Sequence, residues 1–148
     1  MTTSKPSECG PNKIIVVMDK PGRNAHKLVK IITKHHGLDY NKMDFIDPTD
    51  NDIGMVVEML EPNIIEAMGK TASDAVMGGS TALAKARVGP PKESPLFPGP
   101  KVVVTYHPAM ALRQGSAFPD LIADFGKING PEAVKWLEPE YEVVHAQE

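Results

Sequence analysis

The chain has little of what most catalytic and scaffolding devices are built from. A single cysteine, Cys9, stands in its 148 residues. One cysteine excludes a disulfide framework, a cysteine zinc site and a cysteine-ligated iron–sulfur cluster within one chain. Aromatic residues make up 5% of the sequence, which leaves no obvious row of base-stacking platforms. There is no excess of positive charge: the formal net charge is −3, so any contact with nucleic acid rests on local lysines, arginines and backbone amides rather than on a global field. No apolar run reaches the length of a membrane span, and no signal-peptide core follows the N-terminus. The expectation is a soluble, cytoplasmic protein with no membrane partner. What is present is 41% hydrophobic residues, enough for one domain with its own core.

Short β-branched runs alternate with segments of helical period. Residues 1–11 are polar, broken by Pro and Gly, and read as a flexible leader ahead of a single domain over 12–148. Ile14–Val17 reads as a strand buried on both faces. Ala25, Leu28, Val29 and Ile32 mark one face of a helix over Arg23–His36, which Gly37 stops. Met43–Ile46 is a second strand, and Asp47–Asp50 a turn and helix cap. Ile53, Val56, Val57 and Leu60 mark a helix that ends before Pro62. Asn63–Met68 is a third strand and Thr71–Met77 a helix. Ser80–Lys101, rich in Pro, Gly and Ser, reads as a long loop with little regular structure; such loops are uncommon unless they bind something. Val102–Tyr106 is the fourth strand. Phe118–Ile128 is a helix with Leu121, Ile122 and Phe125 inward, followed by a short helix at Ala133–Leu137 and an edge strand at Tyr141–Val144. This alternation predicts a three-layer α/β/α fold around a central, mainly parallel, four-stranded sheet.

In a parallel sheet all carboxyl ends lie on one edge, the edge where ligands bind in open α/β folds. Three turns should meet there. Met18–Gly22 carries Asp19. Gly69-Lys70-Thr71-Ala72 opens a helix whose first amides favour a phosphate, with Lys70 or the Thr71 hydroxyl adding to the hold. His107-Pro108 ends the fourth strand, because proline forces the residue before it out of the helical region. Each turn also has an ordinary reading: a solvated aspartate, an N-cap by Thr71, a capping histidine. A further expectation concerns Glu66, which interrupts the third strand: either that strand lies near an edge, or a cation such as Lys13 or Lys101 stands beside the carboxylate.

The motifs Met18-Asp19-Lys20-Pro21-Gly22, Met68-Gly69-Lys70-Thr71-Ala72 and His107-Pro108-Ala109-Met110-Ala111-Leu112-Arg113 come in that order. Ala86-Arg87-Val88-Gly89 lies between the last two. The set resembles the uracil-DNA glycosylase superfamily, in particular its thermophile-type, iron–sulfur-containing branch. That branch has a Gly-Glu-Ala-Pro-Gly turn, a strand ending Leu-Gly-x-Thr-Ala, a Leu-Arg-Gly loop and a His-Pro-Ala-x-Leu-Leu-Arg segment. The resemblance covers roughly 13–128. It implies an enzyme that rotates a nucleotide out of the DNA stack and cleaves the bond between base and sugar. His107 would then stabilise charge on the departing base, and Asp19 would orient water or face the cationic sugar. Gly69, Lys70, Thr71 and Arg87 would hold phosphate. Met110 or Leu112 would wedge into the minor groove with Arg113 on the backbone, and Pro21, Gly22 and Asp44 would border the base.

The chain departs from the branch at several points. Met18 and Lys20 replace Gly and Ala in the first turn, and no segment carries a stacking Phe. No Asn ends strand two, where only Asp44 or Asp47 is near, and all cluster ligands are absent. The resemblance therefore leaves two readings: a cofactor-free, metal-free, monomeric glycosylase acting on uracil or another aberrant base in single-stranded or flipped form, or a catalytically silent accessory factor that binds DNA or a replication or repair protein. An unrelated nucleotide-binding α/β protein is a third.

Overall fold

The computed structural model describes residues 13–79 and 81–129. The expected leader, the helix at 133–137 and the strand at 141–144 lie outside the described residues. Within them the alternation holds. Strand β1 (Ile14–Met18) leads to helix α1 (Arg23–His35), β2 (Asp44–Ile46), α2 (Ile53–Leu60), β3 (Ile64–Met68) and α3 (Lys70–Met77). Then come α4 (Leu83–Ala86), β4 (Lys92–Glu93), β5 (Lys101–Thr105), α5 (Pro108–Arg113) and α6 (Phe118–Gly126).

The sheet runs β2-β1-β3-β5-β4. The β1–β2, β1–β3 and β3–β5 pairs are parallel. β4 adds to the outer side of β5 in antiparallel sense, so the sheet has five strands where four were expected. The extra strand is two residues long and set among prolines, with no apolar run to announce it. Its stretch is also more ordered than a Pro/Gly-rich loop suggests. Lys92 Nζ donates to the carbonyls of Ala86 (2.7 Å) and Val88 (2.6 Å) at the end of α4. Ser94 Oγ donates to the Val76 carbonyl at 2.6 Å and accepts the amides of Leu96 and Phe97, which ties 94–97 to α3.

Side chains alternate across a strand, and that alternation divides the core in two. Ile14, Val16, Met18, Ile64, Met68 and Val103 pack against α1, α5 and α6 through Leu28, Val29, Ile32, Ala111, Leu121 and Phe125. Ile15, Val17, Ile65, Ala67, Val102 and Val104 pack against α2 and α3 through Ile53, Ala72 and Val76, with Leu83 and Ala86 of α4 beside them. Helices thus cover both faces, which makes the three-layer α/β/α arrangement. The helix cap after β2 is Asp52, whose carboxylate accepts the Met55 amide at 3.3 Å; Asp47, the residue directly after β2, belongs instead to the turn at the strand end.

β3 is the middle strand of the sheet, so the expectation that Glu66 sits near an edge is overturned. Its side chain is fully buried, and among the described residues neither carboxylate oxygen has a hydrogen-bond partner. Lys101, one of the expected cations, pairs instead with Glu93 at 3.1 Å, and the cation whose charge reaches Glu66 is Lys127. Burial is the main force that pushes the Glu66 carboxyl well above its ordinary value. The nearby Asp124 charge pushes the same way, and Lys127 opposes both. Such a setting favours the neutral, protonated form of a carboxyl.

Candidate functional site

The order β2-β1-β3 reverses direction at β1, because the chain moves outward to β2 and then back across to β3. Crevices at such reversals, outside the carboxyl ends of the strands, are the usual ligand sites of open α/β sheets. Here the turns after β1, β3 and β5 do meet. His107 Nε2 lies 2.9 Å from the Asp19 carbonyl oxygen and 3.9 Å from the carboxylate Oδ1. His107 Nδ1 accepts the Ala109 amide at 3.0 Å, which makes the imidazole the N-cap of α5. A ring nitrogen that accepts an N–H carries no proton of its own, so the neutral imidazole holds its proton on Nε2 and donates it to Asp19.

Gly69 explains how the third turn comes so close. Its φ of +101° and ψ of 170° lie in a region that only glycine occupies readily. A Cβ at this position would sit 3.1 Å from His107 Cβ. The Gly69 amide donates to the Thr105 carbonyl at 2.8 Å, so it closes the β3–β5 seam and is not available to a phosphate. Lys70 Nζ pairs with Asp74 at 2.6 Å along the same helix. Thr71 does not cap α3: the N-cap is Gly69, with no side-chain cap bond.

Asp19, Lys20, His107, Ala109, Met110 and Arg113 line an open hollow of about 310 Å³. Arg113 is exposed and Met110 half-buried. Leu112 is 54% exposed and does not line the hollow. Of the residues expected to border a base, Pro21 is half-buried and Gly22 is the exposed N-cap of α1. Asp44 begins β2, opposite Ile15, and is therefore set back from the rim. Asp47 is the acid at that strand's carboxyl end. Its Oδ2 accepts the Lys20 amide at 2.9 Å, and its Oδ1 accepts the amide and hydroxyl of Thr49 at 2.9 and 2.7 Å. The Thr49 hydroxyl, the Thr49 amide and the Lys20 amide hold the Asp47 carboxyl below its ordinary range. Lys20 itself has φ +45°, a left-handed conformation uncommon for a residue with a side chain.

Arg87 is engaged away from the hollow. Nε and Nη2 reach Asp124 at 2.7 and 3.3 Å, and the guanidinium lies 5.1 Å from the centre of the Tyr106 ring. Thr105 Oγ1 donates to Asp124 at 2.9 Å and Lys127 Nζ lies 3.1 Å from it. Asp124 is 1% exposed. This buried cluster under the β5 end escaped the sequence reading. Its signal was an aspartate at the spacing of the apolar stripe, three residues after Leu121 and one before Phe125.

Among the described residues no group of three His, Cys, Asp or Glu side chains is placed to hold a metal ion. No helix among them is long and apolar enough to cross a membrane. Neither a protein-family model nor a curated protein matches the chain.

Proposed function

We propose that the chain is a DNA glycosylase that hydrolyses the bond between sugar and base at uracil or another aberrant base. The observation that carries the reading is the meeting of Asp19 and His107 at 2.9 Å (carbonyl) and 3.9 Å (carboxylate) on one open hollow. Water supplies the nucleophile. Its oxygen bonds to the sugar C1′ as its proton passes to the Asp19 carboxylate, and the electron pair of the C1′–N bond leaves with the base. The Nε2–H of His107 donates to the base carbonyl oxygen, where negative charge grows. The base then takes up the proton. The Asp19 carbonyl holds the place of that base carbonyl while the site is empty. Arg113, at the margin of the hollow, contacts the DNA backbone, and the protein acts in the cytoplasm as a monomer without cofactor.

A second reading, a silent binding module of the same architecture, is favoured by one feature: both ring nitrogens of His107 already have partners within the chain. Incubation with a single-stranded uracil-containing oligonucleotide, then alkali, decides between them. Strand scission that is absent in His107→Ala and Asp19→Ala supports the enzyme. DNA binding without scission on uracil or other base lesions supports the silent module.

A further inference from the structure

We infer that Asp47 is a positioning residue for His107: by gripping the Lys20 amide it turns the Asp19 carbonyl onto the imidazole. The functional meaning rests on the glycosylase reading, whereas the chain of contacts stands without it.

The Asp19 carbonyl and the Lys20 amide belong to one peptide unit. That unit is planar and trans, so its C=O and N–H point in opposite directions. Asp47 Oδ2 holds the N–H at 2.9 Å, and His107 Nε2 meets the C=O at 2.9 Å on the other side. A single rigid plane therefore connects an acid at the end of β2 to the histidine at the end of β5. The grip is itself fixed, because Thr49 donates two hydrogen bonds to the other carboxylate oxygen and Asn51 Nδ2 donates to the Asp47 carbonyl at 3.0 Å. Lys20 keeps its left-handed φ of +45° at the junction that this plane must make. Hydrogen bonds in series polarise one another, so a carboxylate on the N–H makes the carbonyl a better acceptor for the imidazole proton.

The consequence is a latch. A base carbonyl reaches the Nε2–H only when the Asp19–Lys20 peptide rotates away, and Asp47 resists that rotation. In the glycosylase reading, Asp47 sets how readily the donor is released to a substrate rather than reading the base itself.

Solvent exchange of two protons in the ¹⁵N-labelled full chain tests this: the His107 Nε2–H and the Lys20 amide. In Asp47→Ala both exchange at least ten-fold faster than in the wild type. In Thr49→Ala, which removes one of the donors that hold Asp47, both quicken by a smaller factor. A faster Lys20 amide with an unchanged Nε2–H overturns the inference. If Asp47→Ala does not fold, Thr49→Ala and Asp47→Asn provide the same comparison, and a Lys20 amide that quickens alone in them overturns it equally. Wild-type protein that leaves uracil and other base lesions intact, while the Asp47→Ala variant loses both protections together, upholds the positioning role and removes the glycosylase reading.

Discussion

Thr105 and Asp124 are joined by a 2.9 Å hydrogen bond beneath the carboxyl end of β5, two residues before His107. The hydroxyl is one of several donors around that carboxylate. Arg87 brings the end of α4 to it, and Lys127 comes from the turn after α6. Lys127 Nζ also donates to the Arg87 carbonyl at 2.7 Å. A buried ion pair contributes little net stability over an apolar substitute, but removing one partner leaves the other's charge stranded.

Asp124→Ala therefore destabilises the fold by about 3–5 kcal/mol, read as a lower midpoint in urea with an unchanged slope. The Tyr106 ring beside Arg87 reports the local loss in near-ultraviolet circular dichroism. A change below about 1 kcal/mol, the level of an exposed pair, would show that solvent already screens the cluster.

Gly69→Ala tests the close approach of β3 and β5 at the rim. The added methyl forces alanine into a glycine-only conformation and presses on His107 Cβ at 3.1 Å. The expected cost is about 1–3 kcal/mol, with displaced ring resonances for His107. Thr71→Ala is the control: Thr71 caps nothing, and its loss leaves the unfolding midpoint where it was.

Much of this was legible in the chain. Ile14–Val17, Asn63–Met68 and Val102–Tyr106 announced buried parallel strands, and the prolines and glycines after them placed the three turns on one edge. What escaped was non-local or too short. Two residues between prolines give β4 no period to detect. Asp47-Pro48-Thr49 reads locally as a turn, and nothing in its spacing reveals that the carboxylate reaches Lys20, 27 residues earlier. Arg87 drew notice only for the local order of Ala86-Arg87-Val88-Gly89, while its partner Asp124 lies 37 residues further on. Glu66 stood out as an anomaly, but the position of its strand in the sheet depends on pairings that no local pattern encodes.

Arg113 lies on the hollow's margin and is exposed. If it meets a phosphate, Arg113→Ala weakens binding to uracil-containing and uracil-free oligonucleotides about equally, and lowers the slope of log K against log salt by about 1. Equal salt slopes for variant and wild type would remove Arg113 from the DNA contact. Leu112→Ala, which changes no charge, separates the two effects: it leaves the salt slope intact even where a lost wedge weakens binding.

Glu66 makes the pH dependence of stability a direct readout of the core. Its folded-state pKa is raised well above the ordinary 4.5, chiefly by burial and then by the Asp124 charge. Between the ordinary and the raised value the native state keeps a proton that the unfolded chain has released. The native state then binds more protons, so stability falls as pH rises through that window. Its contribution is most favourable below about pH 4.5 and is lost progressively above it. Glu66→Gln preserves the shape and removes the titration. Denaturation midpoints measured from pH 5 upward, roughly the start of that window, should therefore diverge, with the wild type losing stability relative to the variant at each step. Parallel profiles would mean that the carboxylate is ionised in the folded protein, with Lys127 as its effective counter-charge.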